Sequence, residues 1–260
     1  MRKLALRLSG LALLLGAQSA AAYDFNCDLR NVGGTAAYDI AVVLEGSETI
    51  TSTFDGYTYG ALQGYFHDVT QTPTASGDTV IHWMNMEGNN SPIVPGKTIH
   101  VGWQTEDCKS TIKDMYWTDY FHNRIRGSVV HDTKHGIFYR DSRWPFLNLG
   151  NWMQTKVPVT VRNVRFAVVP QALPLSALAS NNQELMARLS PPSDAVISLA
   201  PGQEVFVQIP VAVQPGQALV TFFETGFEGS AARVGNFAQQ VNVLNGPCSR
   251  AAIAGPIVAL

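Results

Sequence analysis

The chain is poor in the features that most often announce a function. Charged residues make up 15% of its 260 positions, and there are three cysteines. None of these forms a Cys-x-x-Cys pair, which removes zinc ribbons, covalent haem attachment and thioredoxin-like redox chemistry. Gly-x-Ser-x-Gly, His-Glu-x-x-His and phosphate-cradling glycine loops are also missing, and with them the common motif-bearing hydrolases and nucleotide enzymes. Runs of Lys and Arg do not occur. At a formal net charge of −2 the chain offers no cationic stripe for nucleic acid, whose phosphates demand clustered cations. Beyond the N-terminal segment there is no long apolar run, so no transmembrane segment is expected.

That N-terminal segment does carry a pattern. Arg2, Lys3 and Arg7 precede an apolar run from Leu11 to Leu15, and small residues ending Ala20-Ala21-Ala22 stand just before Tyr23. A positive start, a short apolar core and an Ala-x-Ala site describe a secretory signal peptide over residues 1–22. The reading is therefore a secreted or periplasmic protein. Cysteines fit an oxidising compartment, and a Cys27–Cys108 bridge would tie together the ends of the first domain, leaving Cys248 over.

Turn residues recur between short β-favouring runs. Tyr38 to Leu44, Thr79 to Trp83, Thr98 to Trp103, Val157 to Val161, Phe166 to Val169, Glu204 to Ile209, Ala218 to Phe223 and Phe237 to Leu244 read as strands. Alternation is clearest where Ile99, Val101 and Trp103 would face a core while His100 and Gln104 face outward. Only Leu173 to Leu189 looks helical, with a stripe of Leu175, Leu178, Leu185 and Leu189. The pattern predicts an all-β protein of two antiparallel immunoglobulin-like β-sandwiches with a long aromatic-rich insertion. The expected organisation is a first sandwich over 23–108, an aromatic and charged insertion or linker over 109–156, a second sandwich over 157–247, and a docked tail over 248–260. Pro95-Gly96 and Pro201-Gly202, each launching an alternating strand, suggest domain duplication.

Asn31-Val32-Gly33-Gly34-Thr35-Ala36-Ala37-Tyr38-Asp39-Ile40, followed by a Val-rich strand and later by Pro95-Gly96, resembles the opening of bacterial adhesion-type immunoglobulin-fold modules of the CARDB-like kind. The similarity covers residues 25 to 104. It implies a fold and a general habit of binding or spacing, and names no ligand.

Function has three candidate locations. All five tryptophans and all six histidines lie between His67 and Trp152. Tyr116, Trp117, Tyr120, Trp144 and Trp152 are the candidate contact residues. Rings with polar neighbours suit a glycan or a protein partner's hot spot, and equally they fill cores. A metal reading uses His122, His131 and His135, or His82, Met84 and Met86, whose thioethers suit Cu(I). The Trp83-Met84-x-Met86 spacing is similar to that of small periplasmic copper carriers. A carbohydrate-active enzyme would draw on Asp114 and Asp119, or Asp132 and Asp141. No cofactor is specified, and the leading expectation is an exported, non-enzymatic binding or structural protein acting through an aromatic-rich surface.

Overall fold

A computed structural model describes residues 23–56, 66, 68–85, 91–106, 112–126, 128, 130, 133–151, 157–246 and 248–260. The expected signal peptide lies outside them. So does Cys108, and the side chain of Cys27 is likewise not described; among the described residues there is no disulfide, and Cys248 is buried.

The protein is all-β. Its strands are β1 (Tyr23–Arg30), β2 (Asp39–Leu44), β3 (Ile50–Gly56), β4 (Asp68–Pro73), β5 (Thr79–Met84), β6 (Thr98–Thr105), β7 (Ile112–Thr118) and β8 (Lys134–Arg140). They continue as β9 (Trp144–Gly150), β10 (Val159–Val169), β11 (Ile197–Leu199), β12 (Glu204–Gln208), β13 (Ala218–Phe227), β14 (Val234–Val241), β15 (Ser249–Arg250) and β16 (Ile257–Ala259). Three sheets result, ordered β11-β10-β13-β14-β1-β6-β3, β15-β8-β9-β12-β16 and β4-β5-β2-β7. No described helix is long and apolar enough to cross a membrane.

Two expectations change. The seven-stranded sheet runs through both halves of the chain, because β1 lies between β6 and β14, with Tyr23 opposite both Thr105 and Gln240. The described strands within residues 109–156 also belong to the sheets: β7 pairs with β2, and β8 and β9 form a hairpin that pairs with β12. Their aromatics hid the alternation, since rings face both ways. Trp117 and Tyr139 point into the main core, whereas Tyr116 and Phe138 point away from it.

Aromatic rings join the sheets. Trp83 of the four-stranded sheet meets Trp103 of the seven-stranded one at 6.0 Å between centroids. Phe25 is stacked at 3.9 Å on Trp103 and at 3.9 Å on His135, which belongs to the five-stranded sheet. Burying side chains of this size contributes about 2–3 kcal/mol each. On the opposite face of the seven-stranded sheet, Leu175, Leu178, Leu185 and Leu189 pack on Val220, Phe222 and Phe237. They come from a 3-10 turn (Leu175–Ala177) and one short helix, α1 (Gln183–Arg188), rather than from a continuous helix. Asn182 caps α1 by accepting from the Leu185 N–H at 3.1 Å.

Residues between Phe25 and Leu29 that face away from the core are polar and buried nonetheless. The Asn26 amide donates to the Leu175 carbonyl at 2.7 Å, and Asp28 meets His100 Nδ1 at 2.7 Å. His100, expected to face outward, is therefore a buried partner of a carboxylate. Asp24 accepts from Gln239 and Gln104; burial pushes its carboxyl up to about 6 against the pull of those two bonds.

The two Pro-Gly turns carry the same hydrogen-bond clamp. Gly96 and Gly202 take φ 86° and 76°, which glycine reaches without strain. Asn31 accepts at its carbonyl from the Gly96 N–H (2.7 Å) and donates its own N–H to Lys97 (3.0 Å). Asn151 does the same with Gly202 (3.1 Å) and Gln203 (2.9 Å). Their side-chain amides then donate to Thr35 and Ile93, and to Val157 and Leu199, respectively.

The C-terminal residues border the five-stranded sheet on both sides. β15 runs parallel to β8 at one edge and β16 runs parallel to β12 at the other.

Candidate functional site

The four-stranded sheet turns one face to the core through Ile40, Trp83 and Trp117. Its other face carries Asp39, His82, Tyr116 and Thr118. Beyond β7 the chain folds back in a tight turn, closed by Asp119 N–H to the Asn123 carbonyl at 2.8 Å and by the Ile125 N–H to the Trp117 carbonyl at 3.0 Å. The Asp119 carboxylate also accepts from the Phe121 and Asn123 N–H groups, each at 2.9 Å, which is ordinary Asx-turn chemistry. His122 adopts a left-handed φ of 63° in this turn and so swings its ring back onto the sheet.

There it meets a buried carboxylate. Asp39 Oδ2 is 2.7 Å from His122 Nδ1 and accepts from Thr118 Oγ1 at 2.7 Å; Oδ1 accepts from the Asn85 N–H at 2.8 Å. His82 Nε2 stands 3.8 Å from the same Oδ2, beyond hydrogen-bond reach, and is buried without a hydrogen-bond partner. Burial holds the His82 imidazole below its ordinary titration range, the Asp39 charge opposes this, and His122 adds to the depression. Both histidines therefore share one carboxylate, their rings edge-to-face at 6.1 Å.

Aromatic rings surround this cluster. Tyr38 and Tyr120 are edge-to-face at 5.4 Å, and Tyr120 and Phe121 again at 5.4 Å. Phe121 is 75% exposed, the most exposed large apolar residue among those described. Arg124 lies 4.3 Å over the Tyr116 ring and pairs with Asp114 at 2.6 Å.

Comparison with protein-family models, curated proteins and solved structures finds no match for this chain.

The expected site residues separate accordingly. Tyr116 and Tyr120 are half-buried at this surface. Trp117 is a correction: at 1% exposure it is a core residue, since it alternates with Tyr116 on β7 and takes the inward face. Trp144 is partly exposed but belongs to the five-stranded sheet. Trp152, His131 and Met86 lie outside the described residues, as does Asp132. His135 is corrected as well. Its segment is a strand, so the four-residue spacing from His131 places no shared helical face, and its ring is buried between Phe25 and Phe223. Burial pushes that imidazole down to about 3, so it stays neutral.

His82 and His122, expected in two different metal sets, are brought together; Met84 lies two residues beyond His82 on the same strand face. Among the described residues no group of three or more His, Cys, Asp or Glu side chains has a metal-holding arrangement. His122 Nδ1 and Asp39 Oδ2 are already at hydrogen-bond distance from each other. Of the proposed acid–base carboxylates, Asp114 is engaged by Arg124 and Asp119 caps the turn. The residue that organises the site, Asp39, was missed. Its signal was a carboxylate opening an otherwise apolar strand, Asp39-Ile40-Ala41-Val42-Val43-Leu44.

Proposed function

We propose that the protein is an exported, non-enzymatic binding module, built on two immunoglobulin-like halves that share the seven-stranded sheet, and that it contacts a protein or glycan partner through the aromatic turn around Phe121. The recurrence of the Asn-clamped Pro-Gly turn at Asn31 and Asn151 supports the duplicated module, and the N-terminal residue pattern supports export. One observation carries the binding reading: an apolar ring 75% exposed at the tip of a turn whose backbone is fixed by Asp119 and whose flank is fixed by the Asp39–His122 contact. Exposed loop tips are ordinarily small or polar, and an aromatic ring carried there on an ordered turn presents a partner with apolar area already in place. Because the turn is already ordered, little conformational entropy is lost on association.

The test is Phe121→Ala, assayed by glycan array and by pull-down from the medium or periplasm of the producing cell. Loss of a ligand that the wild type retains, with an unchanged melting temperature, is the expected result. Retention of every ligand by the variant would overturn the assignment.

A further inference from the structure

At the β8–β9 hairpin, far from Asp39 in the sheet order, three arginines stand almost without counter-charge. Strand register puts Arg250, Arg140 and Trp144 in one row across β15, β8 and β9. Each guanidinium lies over a ring: Arg250 over Phe138 at 4.3 Å, Arg140 over Phe146 at 5.1 Å, and Arg143 over Trp144 at 5.1 Å. Stacking of this kind fixes the plane of the guanidinium while leaving its in-plane N–H groups available as donors. Among the described residues their sole ion pair is Arg140 with the exposed Asp141, at 4.0 Å. Arg143 and Arg250 make no side-chain hydrogen bond or ion pair among the described residues.

Beside this row is an open depression of about 460 Å³. Asp141, Ser142, Asn245, Ser249 and Arg250 contribute to its wall. Ser142 is 7% exposed, and its hydroxyl is 2.6 Å from that of Ser249 while accepting from the Asn245 N–H at 3.2 Å. Whichever hydroxyl donates in the Ser142–Ser249 contact, the other keeps one hydrogen with no acceptor among the described residues. Asp141, Ser142 and Asn245 also have left-handed φ values of 53°, 50° and 54°. The tight hairpin turn, closed by the Arg143 N–H to the Arg140 carbonyl at 3.1 Å, requires this at both Asp141 and Ser142, and Asn tolerates it.

We propose that this corner binds an anionic saccharide, a sugar ring bearing a carboxylate or a sulfate. Three guanidiniums against one carboxylate call for an anion. A saccharide rather than a bare ion follows from the mixed donors and acceptors of the wall: the Asp141 carboxylate accepts sugar hydroxyls, while the spare serine hydrogen and the Asn245 amide donate to them. This site is separate from the Phe121 surface and does not depend on its having a partner.

The experiment is calorimetric titration of the full chain with an oligogalacturonate, with a sulfated oligosaccharide of equal length, with a neutral cello-oligosaccharide, and with inorganic sulfate alone. Binding of the first or the second is expected, weakening with salt, and whichever arm is tighter identifies the charged group. Arg143→Gln and Arg250→Gln should each weaken it about tenfold, the usual effect of losing a charge-assisted bond. Trp144→Ala, which removes the ring beneath the Arg143 guanidinium, should weaken it as well, and Phe121→Ala should leave it unchanged. Absence of binding by both charged oligosaccharides at millimolar concentration would overturn the proposal. So would affinity unaltered in the Arg143→Gln/Arg250→Gln double variant, or inorganic sulfate binding as tightly as either oligosaccharide.

Discussion

Asp39 and His122, 83 positions apart in the chain, share a 2.7 Å contact that ties an edge turn to the middle of a sheet. Asp39 itself is fully buried and takes two further bonds, from Thr118 Oγ1 and the Asn85 N–H. Removing a buried acceptor strands its donors, each at about 1–3 kcal/mol. Asp39→Ala should therefore lower stability by about 3 kcal/mol in urea unfolding. His122→Ala, which deletes a ring 41% exposed, should cost about 1 kcal/mol or less. Equal losses for the two variants would contradict the assignment of Asp39 as the organising group.

The two tryptophans first considered as contact residues should behave oppositely. Trp117 is 1% exposed in the main core, so Trp117→Ala opens a cavity and should cost about 3–5 kcal/mol. Trp144, at 37% exposure, should cost far less when replaced by alanine. Melting curves of both variants decide the matter; a Trp117→Ala protein as stable as wild type would place that ring at the surface.

Acid acts on two buried groups in opposite senses. His135 has its folded pKa pushed from 6.5 down to about 3, so between those values only the unfolded chain binds its proton and stability falls as pH drops. Asp24 is pushed from 3.8 up to about 6, so over that window the folded chain binds the extra proton and acidification stabilises. Each slope is at most about 1.4 kcal/mol per pH unit, and the two largely cancel between pH 6 and 4. Asp24→Asn removes one of them. On going from pH 6.5 to 4.2 this variant should lose about 2–3 kcal/mol more stability than wild type, measured by urea unfolding at both values. An identical loss would mean that Asp24 titrates normally in the folded protein.

The sequence made the fold class readable because its strongest strands alternate cleanly: Ile99, Val101 and Trp103 all face the core as expected. β1 escaped notice because Asp24, Asn26 and Asp28 give it the look of a polar loop, and only the folded sheet shows what satisfies them. β10 was read as two strands, since the register shift between Arg162 and Arg165, with Asn163 at φ 54°, interrupts its period. Pro95-Gly96 and Pro201-Gly202 stood out as a repeat. The Asn31 and Asn151 clamps did not, because Asn31 stands 65 residues from Gly96 and Asn151 stands 51 residues from Gly202. The Asp39 site was illegible for the same reason: its members come from three stretches whose meeting depends on β2 lying between β5 and β7.

The position of β1 between β6 and β14 bears on how the chain reaches its folded state. Asp24 and Gln239 are in contact across 215 residues of chain, so β1 cannot gain its second neighbour until nearly the whole polypeptide is available. Closing a loop of that length carries an entropic cost before any contact repays it, and topologies dominated by such pairings fold slowly. The same strand also welds the two halves into one cooperative unit: loss of β1 leaves β6 and β14 each with an unpaired edge. Heat or denaturant should accordingly give a single unfolding transition, and refolding should be slow enough for an unfilled β6–β14 gap to be the species at risk of pairing with a strand from another molecule.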